Sequence, residues 1–319
     1  MSRAFNVEVC ELVQETPDIL CIMLTNSNGG SLPKFTAGSH IDVYLDNGLI
    51  RQYSLSNSPT QRSFYEIAVL KEVNGKGGSE YIHQTFSKGS VLKISEPRNN
   101  FPLIKFAKNH LLLAGGIGVT PMMAMIAELE SVGANFLLHY CARSPEKTAF
   151  YSRLKSLEKD GKVIFHHDEG NPKNGLDVET LLSSPQQDTH LYYCGPPNFM
   201  KAVEKASEKW AAETIHSEYF VAPDRKDKAE VVNNKFQVKI ASSGQVFNVL
   251  EGQTIVEVLR QNGLTVDTSC EDGYCGTCMT RFLEGEPEHN DHVLDAEDRE
   301  EFVLICCARS KTAQLVLDL

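Results

Sequence analysis

Three cysteines lie close together near the end of the chain, and their spacing constrains its fold more than any other feature. Cys270, Cys275 and Cys278 follow the pattern C-x₄-C-x₂-C, and Cys306 and Cys307 lie further along. Three thiolates from one loop and a fourth from a distant segment are the ligand set of a [2Fe–2S] cluster. Zinc sites usually pair C-x₂-C with a second such pair or with histidines. We therefore predict an iron–sulfur site, with zinc and simple packing of buried thiols as the alternatives.

The segments around this loop predict the fold that carries it. Residues 236–241 and 246–249 alternate like the two strands of a hairpin. An amphipathic helix over 254–262 follows and ends at Gly263. Hairpin, helix and cysteine loop, in this order, resemble the β-grasp fold of plant-type ferredoxins, an α+β domain that we expect over 235–319.

Two neighbouring cysteines compete for the fourth ligand position. We expect a strand through 304–308, and neighbouring side chains of a strand point to opposite faces. Only one of the two sulfurs would then reach the irons. The ferredoxin pattern is Cys, a small or apolar residue, a small residue and Arg, so the resemblance makes Cys306 the ligand and leaves Cys307 in the apolar position.

Composition excludes several other kinds of protein. A chain of 319 residues with 41% apolar and 23% charged residues has room for two or three globular domains. The net charge of −11 argues against a nucleic acid partner, because phosphates attract Lys and Arg. No apolar run approaches the about 18 residues of a membrane span, and the polar start lacks a signal peptide. Nine cysteines without such a signal favour the reducing cytoplasm, away from membranes.

Residues 1–105 predict an antiparallel β-barrel. Short alternating segments occur at 5–13, 19–25, 40–45 and 65–69, and turns rich in Gly, Pro and Asn separate them. Regular spacing of this kind is typical of a sandwich or a barrel.

A glycine-rich turn in this region predicts a phosphate site. Gly77, Gly78 and Ser79 open a short helix, and the free N–H groups of a helix start bind anions. Arg51, the first residue of an R-Q-Y-S sequence, offers a fork of donors to the same anion. The alternative is that the glycines form only a hairpin turn.

Residues 106–222 alternate strands and helices, as a doubly wound α/β domain does. Strands are expected at 110–114, 136–140, 163–167 and 191–194; helices are expected at 122–129, 148–158, 177–182 and 199–210. The first strand runs into G-G-I-G-V-T-P and then a helix, an order that aims backbone N–H groups at a dinucleotide pyrophosphate. The Rossmann fingerprint itself is absent, because its last glycine is missing.

A second motif, C-G-P-P, ends the last of these strands. It begins at Cys194, and a buried free cysteine is often just a small apolar residue. Its place at the carboxyl end of a strand, where ligands of such sheets bind, favours a functional role.

Together these motifs resemble the ferredoxin–NADP reductase superfamily. The resemblance implies that Arg51 and Ser79, with Gln52, Gly77 and Gly78, bind a flavin, that Tyr53 lies against its ring and that Ser54 reaches its reactive edge. It implies a nucleotide site formed by Gly115, Gly116, Gly118, Thr120, Pro121, Gly195 and Pro196, with Cys194 near the position of hydride transfer.

The end of this domain offers one more aromatic. Ile215–Phe220 resembles the superfamily's closing strand, which implies that Phe220 approaches the flavin; simple packing of Tyr219 and Phe220 is the alternative. A polar run of nearly balanced charge then predicts a linker over 223–234.

The order of the three domains resembles the phthalate dioxygenase reductase family over nearly the whole chain. The resemblance implies a monomeric reductase with FMN, NADH and a [2Fe–2S] cluster, which delivers electrons to a Rieske-type oxygenase. Within the family, the tail after Ile305 and the segment 139–144 look most like the reductases of carnitine monooxygenase, with those of vanillate demethylase next. The segment 142–147 lacks a clear cationic clamp for a 2′-phosphate, although Arg143 is a candidate, so we expect NADH rather than NADPH.

Two other functions remain open from the sequence. The first is a redox-sensing iron–sulfur protein with an inactive reductase front, against which the intact R-Q-Y-S, G-G-I-G-V-T-P and C-G-P-P motifs argue. The second is a free-standing flavin or ferric reductase, for which the appended ferredoxin domain would have no purpose.

Overall fold

The computed structural model describes residues 4–73, 75–220 and 234–319. The chain divides into two compact units, Met1–Phe220 and Val221–Leu319. The predicted linker over 223–234 lies outside the described residues except for Asn234, and the predicted boundary near 105 stays a prediction. No helix in the described ranges is long and apolar enough to cross a membrane.

The first unit begins with an antiparallel, barrel-like sheet. Its strands are β1 (Ala4–Thr16), β2 (Ile19–Asn26), β3 (His40–Tyr44), β4 (Ile50–Ser54), β5 (Tyr65–Leu70) and β6 (Val91–Ser95), and the helix α1 (Gly78–Thr85) lies between β5 and β6. The strand order is β4-β3-β6-β1-β2-β5. Alternate residues, such as Val7 and Val9 or Ile22 and Leu24, are fully buried in its core. The predicted antiparallel sheet is confirmed, and β6 is a strand that was not predicted.

The second sheet of this unit is parallel throughout. Its strands are β7 (Asn109–Gly115), β8 (Asn135–Ala142), β9 (Val163–His167), β10 (Thr189–Cys194) and β11 (Ile215–Glu218), in the order β11-β10-β7-β8-β9. The helices are α2 (Val119–Ser131), α3 (Tyr151–Lys159), α4 (Val178–Leu182) and α5 (Pro197–Ala206). Side chains of α2 and α3 pack in one core and those of α4 and α5 in another, so helices cover both faces. The doubly wound prediction is confirmed.

Two predicted helix ends are wrong, each for a local reason. The helix α3 starts at Tyr151 rather than at residue 148. Phe150, directly before it, has a left-handed backbone (φ 56°), and its N–H donates to Glu15 of the first sheet. The helix α5 ends at Ala206, not at Trp210. The Trp210 ring turns back into the core, and its Nε1 donates to the Leu182 carbonyl at 3.1 Å.

The second unit has the predicted order of hairpin, helix and cysteine loop. Its elements are β12 (Phe236–Ile240), β13 (Val246–Val249), α6 (Ile255–Gln261), β14 (Met279–Glu284), β15 (Pro287–Glu288), α7 (Asp298–Glu301), β16 (Phe302–Leu304), β17 (Arg309–Ser310) and β18 (Gln314–Leu317). The mixed sheet has the order β13-β12-β18-β14-β16, with β12 and β18 parallel. A capping box between Thr254 and Glu257 starts α6. The ferredoxin-type fold is confirmed.

One buried ion pair connects the two sheets of the first unit. Both oxygens of Glu66 on β5 accept from the Arg153 guanidinium on α3, at 3.0 and 3.2 Å. Ser56 donates to the same carboxylate at 2.7 Å. The Glu66 side chain is only 3% exposed, so its charge depends on these partners.

We predict that Arg153→Met lowers the free energy of unfolding of the first unit by about 2 kcal/mol. The loss stays below that of a fully buried pair because the Arg153 side chain is 43% exposed. Urea denaturation followed by fluorescence of the single tryptophan, Trp210, measures this unit. Lys162→Met, which removes a surface pair with Glu130, is the control and should cost less than about 1 kcal/mol. Equal losses in the two variants would contradict the argument.

Candidate functional site

The R-Q-Y-S segment forms β4, and each of its side chains has a distinct environment. Tyr53 packs against the barrel core, and burial raises the pKa of its hydroxyl. Gln52 donates to Asp42 at 3.0 Å. Asp42 is buried and accepts from Arg98 with both oxygens at 2.8 Å. Gln52 therefore belongs to a polar network beside the predicted flavin site.

Arg51 and the start of α1 come together as the sequence predicts. A Cβ on Gly78 would overlap the Arg51 side chain, so glycine is required for the arginine to lie across the helix start. Arg51 donates to the carbonyls of Ile50 and Lys76 at 2.8 and 3.1 Å. The Ser79 hydroxyl accepts from the Glu72 N–H at 3.0 Å. The guanidinium, with the free N–H groups of the first helical turn, suits a phosphate.

The two glycine motifs of the parallel sheet pack directly against each other. A Cβ on Gly118 would overlap the Cys194 carbonyl, and one on Gly115 would lie 2.8 Å from Pro196. A Cβ on Gly195 would lie 2.6 Å from the Phe199 ring. These glycines are needed because the ends of β7 and β10 approach each other closely. Gly116 differs, with φ 53° and open space around it.

Backbone N–H groups near these glycines face the carboxyl ends of the strands. Gly116–Gly118 forms a short 3₁₀ turn that leads into α2. Thr120 and Pro121, in the first turn of α2, are buried, and the Thr120 hydroxyl donates to the Ile117 carbonyl at 3.0 Å. The turn and the helix start provide the donors that a dinucleotide pyrophosphate needs.

The two sheets of the first unit meet at Ser54. The antiparallel sheet carries the predicted flavin site and is called the flavin sheet; the parallel sheet carries the predicted nucleotide site and is called the nucleotide sheet. Its hydroxyl donates to Glu218 Oε2 at 3.2 Å. Glu218 ends β11 and lies directly beside Cys194 at the end of β10. Burial raises the pKa of Glu218 to about 8, partly offset by the Ser54 hydrogen bond. Burial, with Glu218 next, also raises the pKa of the Cys194 thiol.

The sequence analysis missed Glu218 as a site residue. Its expectation fell on Phe220, the aromatic residue two positions later. Phe220 lies just past the end of β11 and is 40% exposed. A signal for Glu218 existed, since an acidic residue at the carboxyl end of a strand beside C-G-P-P lies at the ligand-binding edge of the sheet.

The cysteine loop places Cys270 and Cys275 in contact. A hydrogen bond between the two thiols lowers the pKa of Cys275 to about 6 and raises that of Cys270. The N–H groups of Asp272 and Tyr274 point at the Cys270 sulfur, at 3.4 and 3.5 Å. Such donors stabilise thiolates, as the ligands of a cluster must be.

The second pair is Cys278 with Cys306. Their hydrogen bond, followed by one with Cys307, lowers the pKa of Cys306 to about 4. The same bond with Cys306, followed by burial, raises the pKa of Cys278, and both thiols are buried. No three His, Cys, Asp or Glu side chains of the described ranges are grouped around a single ion. The four thiols of these two pairs would be the ligands of a [2Fe–2S] cluster, so the residues present fit such a cluster.

The expected strand through 304–308 is wrong. The strand β16 ends at Leu304, and 305–307 form a turn in which the N–H groups of Cys307 and Ala308 both donate to the Leu304 carbonyl. The turn leaves Cys306 2% exposed beside Cys278 and directs the Cys307 thiol at the Leu304 carbonyl, 3.6 Å away. Gly273 makes room for Cys307, because a Cβ there would lie 2.8 Å from its sulfur.

Two protein-family models match parts of the chain. Residues 112–205 match an oxidoreductase NAD-binding domain, and residues 238–311 match a 2Fe–2S iron–sulfur cluster binding domain.

Several of the similar proteins are named as reductases of oxygenase systems. The reductase subunit of tert-butanol monooxygenase / tert-amyl alcohol desaturase from Aquincola tertiaricarbonis is 45% identical, over 99% of this chain and 96% of its own. A vanillate O-demethylase oxidoreductase from a Pseudomonas sp. is 44% identical (95% and 96%). The carnitine monooxygenase reductase subunit of Escherichia coli is 40% identical (99% and 99%).

Two solved structures extend the likeness to three dimensions. Phthalate dioxygenase reductase is 37% identical, with a TM-score of 0.73 and coverage of 99% and 98%. An intact type IV self-sufficient cytochrome P450 monooxygenase is 34% identical, with a TM-score of 0.88. The present chain is similar to 41% of that longer one.

The folds, the site geometry and these relatives define an electron-transfer reductase of an oxygenase system. It passes electrons from NADH through a flavin to a 2Fe–2S cluster. The chain belongs to the phthalate dioxygenase reductase family. The predicted family and cofactor classes are thereby confirmed, whereas the preference for carnitine systems stays a prediction.

We predict that Cys306→Ala removes the visible iron–sulfur absorption while the flavin is retained, because it takes one sulfur from a buried pair. Cys307→Ala is the matched neighbour and should keep the cluster, because the Cys307 thiol points to a carbonyl. Absorption spectra with iron and flavin analyses of the purified variants measure both. Cluster loss in Cys307→Ala with retention in Cys306→Ala would reverse the choice of ligand.

Proposed function

We propose that this chain is the reductase of a two-component Rieske-type non-haem iron oxygenase. The observation that carries the proposal is the contact of Ser54 with Glu218, which joins the flavin sheet to the nucleotide sheet beside Cys194. A hydride acceptor bound by the first sheet and a hydride donor bound by the second would meet there. The ferredoxin unit on the same chain then supplies the exit for electrons.

We propose the following residues as flavin ligands. Arg51 and the helix start at Gly77, Gly78 and Ser79 would bind the phosphate. Tyr53 would pack against the ring and Ser54 would face its reactive edge, with Gln52 orienting the strand through Asp42. Bound flavin supplies the ability to accept two electrons together and release them singly.

We propose that the glycine motifs bind the nucleotide. The proposed nucleotide-binding residues are Gly115, Gly116, Gly118, Thr120, Pro121, Gly195 and Pro196. The backbone N–H groups of the first motif would hold the pyrophosphate. Cys194, buried at the strand end, would border the nicotinamide and keep water from the reacting atoms. Phe220, at the end of the unit, would cover the flavin.

We propose that the flavin is FMN. Arg51, which lies across the start of α1, would bind the terminal phosphate of FMN. Arg51→Ala should lower the flavin content several-fold while the cluster remains, because the two lie on different units. Arg62→Ala is the control, since the Arg62 side chain bonds to the Leu32 carbonyl instead. Heat-released flavin that chromatographs as FAD, or equal flavin loss in both variants, would contradict this.

The acidic ferredoxin unit would form the contact with the oxygenase. Residues 235–319 contain 15 acidic and 7 basic residues, a net −8 of the chain's −11. Many acidic residues lie between the cysteine loop and Cys306, and Asp295, Glu297 and Glu300 among them are exposed. Asp291 is buried and accepts from the N–H of Leu294, so it serves the fold instead.

We predict that salt slows reduction of the oxygenase but not reduction of the chain's own cluster by NADH. The Debye length is about 8 Å at physiological ionic strength and becomes shorter as salt is added, so added salt strongly screens the attraction between exposed charges. Stopped-flow rates against ionic strength measure both steps. The triple variant Asp295→Asn, Glu297→Gln, Glu300→Gln should flatten the salt dependence, while Glu158→Gln on the first unit should not. An equal salt effect on both steps would leave the acidic surface without a docking role.

A second candidate partner is a cytochrome P450. The likeness to a self-sufficient P450 favours it, because the matching part of that protein is fused to a haem monooxygenase. The reductase subunits among the relatives favour a separate oxygenase. Comparing reduction rates of a purified Rieske oxygenase and a P450 by this chain distinguishes the two.

A further inference from the structure

One residue of the cysteine loop has a backbone conformation that its type rarely adopts. Three residues of the loop 270–278 are left-handed: Glu271 (φ 60°), Gly273 (φ 81°) and Gly276 (φ 72°). Glycine adopts this region freely, whereas a residue with a Cβ is strained there. Asn and Asp tolerate it better than most, but glutamate does not share that tolerance. Such strain persists only where surrounding contacts enforce it, and it is concentrated at functional positions.

The contacts that enforce the conformation of Glu271 come from Arg260 and Thr268. The Arg260 guanidinium, in the last turn of α6, lies 2.7 Å from Glu271 Oε1. The buried Thr268 hydroxyl donates to the same oxygen at 2.8 Å, and Arg260 also donates to Thr268. We call these three residues the loop clamp, because they tie the cysteine loop to the end of α6.

The loop clamp is too exposed for stability alone to explain it. The side chains of Arg260 and Glu271 are 45% and 40% exposed. Ion pairs in such positions add little to the free energy of folding, because water screens them and the side chains lose entropy. The position of the clamp is informative instead, since Glu271 directly follows Cys270, a predicted cluster ligand.

Backbone N–H groups on both sides of Glu271 point at sulfurs of the cluster site. The Cys270 N–H points at the Cys275 sulfur, 3.5 Å away. The N–H groups of Asp272 and Tyr274 point at the Cys270 sulfur, at 3.4 and 3.5 Å. Successive N–H groups around a left-handed residue form a concave anion site, a geometry that occurs at iron–sulfur centres. Such hydrogen bonds stabilise the more negative, reduced cluster and therefore raise its reduction potential.

We propose that Arg260 and Thr268 are positioning residues that act through Glu271 to raise the reduction potential of the cluster. The loop clamp holds residue 271 in the left-handed conformation, and that conformation keeps the N–H groups directed at the sulfurs. Reduction adds one electron to the cluster, and the clamp itself transfers neither an electron nor a proton. The inference requires Cys270 to be a cluster ligand, but it does not depend on which oxygenase receives the electron.

Two substitutions of Glu271 separate the backbone conformation from the charge. Glu271→Ala and Glu271→Gly remove the same carboxylate and the same clamp contacts, but only glycine stays left-handed without strain. Anaerobic redox titration of the full-length holoprotein, with the reduced cluster followed by electron paramagnetic resonance, measures the potential. The equilibrium constant for cluster reduction should be about threefold or more lower in Glu271→Ala than in Glu271→Gly, the value of one weakened hydrogen bond. Equal potentials, a lower potential in Glu271→Gly, or loss of the cluster in Glu271→Gly overturns the proposal.

Arg260→Gln tests the loop clamp from its other end. It should lower the equilibrium constant for reduction more than Arg281→Gln does. Arg281 is the control for a lost positive charge, because it is 51% exposed and pairs with Glu301 at 3.1 Å in the same unit. In the Glu271→Gly background, Arg260→Gln should act no more strongly than Arg281→Gln, because the clamp is already absent. An undiminished effect in that background would show that Arg260 acts by charge alone and overturns the proposal, as does an intact cluster in Cys270→Ala.

Discussion

The contact between Ser54 and Glu218 is the interaction on which the proposed function of the first unit depends. It brings a strand end of the antiparallel sheet to a strand end of the parallel sheet. That approach requires close packing, which Gly115, Gly118 and Gly195 permit because they lack a Cβ. The Glu66–Arg153 pair fixes the same two sheets at a second place. These contacts, together with the hydrogen bond from the Phe150 N–H to Glu15, hold the relative orientation of the sheets, and hydride transfer is sensitive to orientation.

In the second unit, the four cysteines of the predicted cluster site lie in a loop and a turn rather than on a strand. Two pairs of thiols form because the loop supplies three sulfurs and the turn after β16 supplies the fourth. Backbone N–H groups of Asp272 and Tyr274 point at the Cys270 sulfur and favour its ionised form. Hydrogen bonds to the sulfurs also set the potential of such clusters, so the loop conformation contributes to the direction of electron flow.

The sequence predicts most of the fold, because its signals are local. Alternating strands, glycine turns and the C-x₄-C-x₂-C spacing each indicate one element. The sequence does not predict contacts between distant segments. The helix α3 starts three residues later than predicted, because the Phe150 N–H donates to Glu15 of the first sheet. Glu218 joins the candidate site only because β4 and β11 meet in the fold, and the turn over 305–307 needs Gly273, because a Cβ there would lie 2.8 Å from the Cys307 sulfur.

In the proposed function, nucleotide and flavin meet at Ser54, and the electrons reach the cluster afterwards. Anaerobic stopped-flow absorption of Ser54→Ala, which follows flavin and iron–sulfur bleaching after mixing with NADH, tests this order. Flavin bleaching should slow on the order of tenfold or more while flavin and iron contents stay unchanged. Cluster bleaching should then follow the slowed flavin step without a further delay. Flavin bleaching at the unaltered rate would contradict the claim.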